Sequence, residues 1–360
     1  MNETPKQLYQ LTEPLLRWYD GSARVLPWRN EPTAYHVWVS EIMLQQTRVS
    51  AVLPYYRRFL EALPDVAALA EVEEEKLLKL WEGLGYYNRA RNLQKAARQI
   101  MEVHGGRFPE DYETILTLPG VGEYTAGAVA SIAFGCRVSA VDGNVLRVVA
   151  RITGDEGDVL DGKVKGRFRA WVEEIQDANR PGDFNQAMME LGATVCVPNG
   201  APRCEVCAAR AFCTARRENS WNVLPMKKKK AQRRIEEKTV FVLLHDGRAA
   251  LRRRENKGLL AGLWEFPNVP GLLDETAAAA QLRHWGITPA EWEQQLEAKH
   301  IFTHVEWHMR GYVLRVKCGG STPFLWADRA DFAARAVPSA FVKFTEAARE
   351  RLSENGEEER

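Results

Sequence analysis

The chain has little net charge, few cysteines and no long apolar run, and each scarcity narrows what it can be. Its 49 Lys and Arg nearly balance 48 Asp and Glu, for a formal charge of +1. A polyanionic partner must therefore be held by local patches, because there is no global field to hold it. No segment approaches the roughly 18 apolar residues of a membrane span, and the opening MNETPKQLYQ lacks the apolar core of a signal peptide. These absences predict a cytoplasmic protein with no membrane partner. Six cysteines in 360 residues are too few for a disulfide scaffold, and a reducing compartment disfavours disulfides in any case.

What is present is unevenly distributed. Four of the six cysteines crowd into CVPNGAPRCEVCAARAFC (Cys196–Cys213), separated by seven, two and five residues. A set this compact suits a metal or cluster loop. Spacing alone leaves an iron–sulfur cluster and zinc both open, with the cluster ahead of zinc and a disulfide last. Cys136 and Cys318 stand alone and read as small buried hydrophobes.

From residue 5 to about 220, apolar residues recur at helical spacing, as in EEEKLLKLWEGLGYY. NVLPMKKKKAQRRIEEK then carries six basic residues between Lys227 and Arg234 and almost nothing to bury, so it reads as an exposed linker. Beyond it, KTVFVLLHDGRAALRRR reads as a hairpin around an Asp-Gly turn, DETAAAAQLRHWG as a helix and HMRGYVLRVKC as a strand. The division expected is a helical domain over 1–221 with its cysteine loop at 196–213, a basic linker over 222–237, an α+β domain over 238–350 and a disordered tail over 351–360. KKKKAQRR and LRRRENK either steer a polyanion or are simply solvated charge.

LTLPGVGEYTAGAVASIAFG (Leu116–Gly135) holds a second signal. Pro119 cannot continue a helix, and Gly120 and Gly122 permit a tight turn with positive φ. The backbone N–H groups at Gly120, Val121, Gly122 and the following helix start could bind a phosphate. On glycines alone, a plain helix–helix turn is equally open.

The order of motifs resolves this. The hairpin, then VDGNVLRVVAR (Val141–Arg151), then the four-cysteine loop resembles the helix-hairpin-helix DNA glycosylase superfamily typified by endonuclease III. SEIMLQQTRV, WEGLGYYNRARNL and ELGATVC resemble one branch of it, the MutY-type adenine DNA glycosylases. The likeness covers about Leu26 to Cys213. It departs in one place: the loop from Cys196 to Cys204 is a residue longer than the family pattern.

The resemblance implies a mainly α helix-hairpin-helix glycosylase domain, with Cys196, Cys204, Cys207 and Cys213 holding a 4Fe–4S cluster. It implies a monomer that acts on duplex DNA at the bacterial nucleoid, and it names no protein partner. An adenine opposite 8-oxoguanine or guanine would be flipped out and hydrolysed to start base-excision repair. Glu41 would protonate adenine N7, Asp142 would stabilise the sugar oxocarbenium ion, and Asn144 would position groups there. Standing alone, Glu41 would be a helix-surface charge and Asp142 a cap. Arg24, Trp28 and Gln186 would form the adenine pocket. Gln46, Thr47, Leu84 and Tyr86 would fill and prop the duplex. Relatives with strand-cleaving activity carry lysine two residues after the last hairpin glycine. This chain has Tyr124, which cannot form a Schiff base, so a monofunctional enzyme is expected.

GLLAGLWEFPNV resembles the Nudix-like domain at the C-terminus of such glycosylases. Aligning Gly286–Ile287 with the end of a Nudix box leaves Ala279, Ala280, Arg283 and His284 where the box reads Arg-Glu and Glu-Glu; its metal carboxylates are missing, so nucleotide hydrolysis is not expected. HIFTHVEWH instead resembles a lesion-reading loop with Phe302, Thr303 and His304 at its tip. A pyrimidine-excising glycosylase, a non-catalytic lesion binder and a working Nudix hydrolase are the rival readings.

Overall fold

The computed structural model describes residues 3–228, 232–318 and 322–352. The expected tail from 353 onward and the centre of the basic linker lie outside the described residues. By contacts the chain divides into two units, 1–71 with 92–230, and 72–91 with 231–360.

The first unit is helical. Helix Ala34–Leu44 is apolar nearly all round and buried from Val37 to Met43, so it must lie inside the unit. Helix Glu123–Phe134 is rich in small residues and packs on it. A Cβ on Gly127 would stand 2.2 Å from the Ser139 carbonyl oxygen, so only glycine allows that approach. Helices Thr12–Ser22, Gly143–Thr153, Gly162–Glu174 and Pro181–Thr194 enclose a second core of Leu15, Val149, Phe168, Phe184 and Leu191.

The second unit is built on a mixed sheet. Its strands are β1 (Arg234–His245), β2 (Arg248–Arg253), β3 (Trp264–Glu265), β4 (Asn268–Pro270), β5 (Ile287–Ile301), β6 (Val305–Cys318) and β7 (Leu325–Ala327). The order is β3-β2-β1-β6-β5, with β4 paired to β1 and β7 to β2. The expected β1–β2 hairpin is present. Asp246 and Gly247 turn it, both at positive φ, as a two-residue turn between twisted strands requires. The apolar run in β1 is buried on both faces. Val240, Val242 and Leu244 enter a core with Phe341 and Phe344. Phe241 and Leu243 enter another with Ala278 and Leu282 of helix Glu275–His284. A run without alternation is the mark of a strand covered on both sides.

Segment 72–91, which the sequence pattern places with the helical domain, groups with this sheet unit. Lys79 Nζ donates to the Phe332 and Arg335 carbonyls at 3.2 and 3.0 Å, Val337 N to Glu82 Oε1 at 2.8 Å, Trp264 Nε1 to Glu75 Oε1 at 2.9 Å, and Arg91 Nη2 to the Ala261 carbonyl at 2.8 Å. Its amphipathic pattern is equally satisfied by either unit, and these side-chain partners come from far along the chain. Cys136 and Cys318, expected as buried, are both half-buried.

Candidate active site

A cavity of about 1140 Å³ opens in the helical unit. Its lining joins residues that lie far apart in sequence: Arg24, Trp28, Glu41, Gln46, Thr47, Tyr124, Asp142, Asn144 and Gln186. Seven of them were expected in the catalytic and adenine pocket, and Gln46 and Thr47 beside it at the duplex. Trp28 is also a core residue, 6 % exposed and set edge-on to Tyr56 at 5.1 Å.

Glu41 is not a surface charge. It is 6 % exposed, on the buried helix Ala34–Leu44. Burial pushes its carboxyl up to about 7, and the nearby Asp142 charge pushes the same way. The Tyr124 hydroxyl, which donates to Glu41 Oε2, and the Arg29 charge pull it back. A carboxylic acid placed this way carries its proton near neutral pH.

Asp142 has two roles at once. It caps helix Gly143–Thr153, with Oδ1 accepting from Asn144 N and Val145 N, both at 2.8 Å. Its other oxygen accepts from Asn144 Nδ2 at 2.7 Å. Burial raises its carboxyl, while these bonds and Arg147 lower it. Asn144 is fixed in turn by Arg147 Nη2, which donates to Asn144 Oδ1 at 2.8 Å. The same guanidinium reaches the Gly192 and Cys196 carbonyls, both at 2.8 Å. A Cβ on Gly192 would stand 2.6 Å from Asn144 Cβ, so the glycine of ELGATVC leaves room for Asn144.

Arg29, Met189 and Glu190 also line the cavity and were not anticipated. Glu190 is buried beneath the cavity wall and accepts from Arg24 Nε at 2.6 Å, Arg24 Nη2 at 2.8 Å and Arg29 Nη2 at 2.8 Å. Arg24 was expected in the pocket and ELGATVC begins at Glu190, but no local rule pairs two residues 166 positions apart.

At the hairpin, Gly120 has positive φ (78°) while Gly122 is extended (φ −101°), so only the first needs a left-handed backbone. A Cβ on Gly120 would stand 2.6 Å from Asn92 Cβ. Helix Glu123–Phe134 begins without a side-chain cap, which leaves its first N–H groups available to an anion. Val121 is buried.

The four cysteines line one small cavity, together with Arg151, Arg210 and Arg216. Arg151 Nη1 donates to Cys196 Sγ at 3.3 Å. Burial pushes the Cys207 thiol up to about 12 and raises Cys204 and Cys213 as well, a cost that a bound metal group reverses by taking thiolates. Among the described residues no three Cys, His, Asp or Glu side chains converge as a single ion would require. Four cysteines around one cavity are a donor set that fits a thiolate-bound metal group.

In the sheet unit, Tyr86 is 47 % exposed and holds a left-handed backbone (φ 48°). Arg89, unanticipated, clamps that turn: its Nη2 donates to the Leu84 and Gly85 carbonyls at 3.0 and 3.1 Å. Leu84 is buried. The Tyr86 hydroxyl lies 2.9 Å from Thr303 Oγ1. Thr303 and His304 are exposed at the tip between β5 and β6, while Phe302 turns inward against His300 and Trp307. Glu306 pairs with Lys299 and His308. Arg283 and His284 are exposed on their helix.

Residues 39–174 match the HhH-GPD superfamily of base excision DNA repair proteins, and residues 239–347 match the NUDIX domain. The adenine DNA glycosylase of Rattus norvegicus is 37 % identical, with 86 % of this chain and 70 % of that protein covered. That of Homo sapiens is 36 % identical, covering 91 % and 72 %.

The chain belongs to the adenine DNA glycosylase family. It is a DNA N-glycosylase with a helix-hairpin-helix domain and a Nudix-like domain. Among solved structures, a thermostable thymine-DNA glycosylase matches at TM-score 0.54 and 29 % identity, over 98 % of that chain but 59 % of this one. A trapped endonuclease III–DNA covalent intermediate matches at TM-score 0.51 and 22 % identity, a likeness of fold alone. In this chain the helical scaffold is followed by a second, NUDIX-matching domain.

Proposed function

We propose that this enzyme removes adenine paired with 8-oxoguanine or guanine in duplex DNA, by monofunctional hydrolysis, as the first step of base-excision repair. The observation that carries the reading is the pairing of a buried, proton-holding Glu41 with Asp142 in one cavity.

The base must leave the stack to reach that cavity, where Arg24, Trp28 and Gln186 surround it. Breaking the N-glycosidic bond places negative charge on the base and positive charge on the sugar. Glu41 gives its proton to adenine N7, and Asp142, oriented by Asn144, faces the sugar cation, the division of labour of paired glycosidase carboxylates. Water then completes hydrolysis and leaves an abasic site. Tyr124 supplies no amine, so the strand stays intact.

The Gly120–Gly122 hairpin grips a phosphate, and Gln46, Thr47, Leu84 and Tyr86 support the duplex around the gap. Gln46, like Tyr86, holds a left-handed backbone (φ 58°), and such conformations gather at functional positions. Phe302 anchors the loop whose Thr303 and His304 read the base opposite adenine. Cys196, Cys204, Cys207 and Cys213 hold a 4Fe–4S cluster, which stiffens the loop; hydrolysis moves no net electrons and requires none from it. Iron and acid-labile sulfide in equal amounts in the purified protein support that assignment, and zinc overturns it. The enzyme acts as a monomer in the cytoplasm, on the nucleoid.

The test is single-turnover excision on four duplexes: A opposite 8-oxoguanine, A opposite G, T opposite G, and thymine glycol opposite A. Fast cutting of the first, visible only after alkali and lost in Asp142→Asn, is expected. Cutting of a pyrimidine instead overturns the specificity, and cutting without alkali overturns the monofunctional mechanism.

A further inference from the structure

Glu190 takes no part in the chemistry just described, yet it is the most densely bonded carboxylate of the cavity. Its side chain is 1 % exposed, and Arg24 N, Nε and Nη2 and Arg29 Nη2 all donate to it. Arg29 Nη1 also donates to the Arg24 carbonyl at 3.0 Å, and its guanidinium lies over the Tyr19 ring, 5.5 Å from the centroid. The two arginines and the glutamate form one closed unit in the cavity wall.

We propose that Glu190 is a positioning residue of the excision site: it fixes Arg24 against the adenine pocket and offsets the Arg29 charge that bears on the Glu41 acid. The inference rests on the reading of Glu41 as the general acid.

The charged and titratable groups lining this cavity are few. They are Arg24 and Arg29 at the two ends of RVLPWR, Arg48 beyond Glu41's own helix, Tyr124 from the hairpin helix, Asp142 at its helix cap and Glu190. Of these, Arg29 is the cation that pulls the Glu41 proton off. Burial alone would make Glu190 hold a proton, but its bonds to Arg24 and Arg29 outweigh that and keep it ionised. An ionised Glu190 halves the net charge of the arginine pair. Without it, two uncompensated cations face a buried acid in a medium that screens poorly. A purely structural staple would hold the wall together with no effect on that proton.

The two roles separate in the pH profile. A general acid works protonated, so excision falls as pH rises through its titration midpoint. Single-turnover rates with enzyme saturating are measured across pH for wild type, Glu190→Gln, Arg29→Gln and the double variant, on A opposite 8-oxoguanine. Glu190→Gln is expected to move the alkaline midpoint down by about one pH unit, a typical effect of one nearby charge. Arg29→Gln moves it up, and the double variant returns it toward wild type. Midpoints that stay at the wild-type value, whatever happens to the maximal rate, overturn the inference. If Glu190→Gln does not fold, Arg29→Gln alone decides, since an unmoved midpoint there overturns it equally. Glu41→Gln runs beside them. If it retains full rate, the acid assignment itself has failed; if it is inactive while the other midpoints stand still, only the role of Glu190 has.

Discussion

Glu41 is 6 % exposed, on a helix buried along most of its length, while Thr303 and His304 stand in solvent at a tip held by one inward ring. The groups in the helical unit are each fixed by another group: Glu41 by Tyr124, Asp142 by Asn144, Asn144 by Arg147, Arg24 by Glu190. In the sheet unit the exposed Thr303 hydroxyl is paired with that of Tyr86. Bond-breaking gains from a dry, preorganised site, where fixed dipoles act at full strength and a carboxyl can keep its proton. A group meant to meet a base that arrives from outside must be reachable, which exposure allows, although its water must still be displaced on contact. Substitutions should therefore cost orders of magnitude in the cavity and small factors at the tip.

The largest effect is expected at Asp142. Asn still caps a helix well, so Asp142→Asn should fold and bind the mispair. On the proposed mechanism it removes the charge that faces the sugar cation, and it should cost at least about 10²–10³-fold in single-turnover rate, as loss of a single electrostatic stabiliser does elsewhere. A loss below tenfold would break the comparison at its strongest point. Gly192→Ala comes next. The new methyl would meet Asn144 Cβ at 2.6 Å, and overpacking of this kind costs about 1–3 kcal/mol. The displaced Asn144 should lower the rate by about 10²-fold, the scale of an ångström misplacement, while affinity for an abasic-site duplex changes little.

How much of this was legible beforehand depended on the range of the interaction. The Asp-Gly turn of the β1–β2 hairpin, helix Glu275–His284 and the cysteine loop are local patterns, and each stands where the sequence puts it. The nine cavity residues were reachable because their motifs match a family, not because spacing brings them together. Asp142 reads locally as a cap, and it is one; its place at the sugar came only from the family resemblance. Glu190, Arg29 and Arg89 were missed because their meaning lies in partners supplied by the fold. The grouping of segment 72–91 with the sheet unit was hidden for the same reason: Lys79 and Glu82 look like ordinary helix-surface charges until Phe332, Arg335 and Val337 are in place.

A smaller effect, of opposite sense, is expected at Tyr124. Its hydroxyl bond pulls the Glu41 proton off, against the burial that holds the titration up at about 7. Tyr124→Phe removes that pull and keeps the ring. The acid then stays protonated to higher pH, so the alkaline limb of the excision profile should move up, and the rate at neutral pH should change by no more than about tenfold. A limb that moves down would mean the hydroxyl supports the protonated acid.

The smallest effect belongs to the tip. Thr303→Val keeps shape and removes the hydroxyl; Tyr86→Phe removes its partner. Each should lower the preference for A opposite 8-oxoguanine over A opposite G severalfold, the scale of one hydrogen bond worth about 1 kcal/mol. Because the two oxygens are 2.9 Å apart, the losses should not add. With the pair broken by either change, the second substitution removes little more, and the double variant should resemble the worse single one. Additive losses would mean that Tyr86 and Thr303 contact the duplex independently, and that their bond is one the DNA displaces. Either outcome leaves total excision of A opposite 8-oxoguanine within a few-fold of wild type, because neither residue touches the bond that breaks.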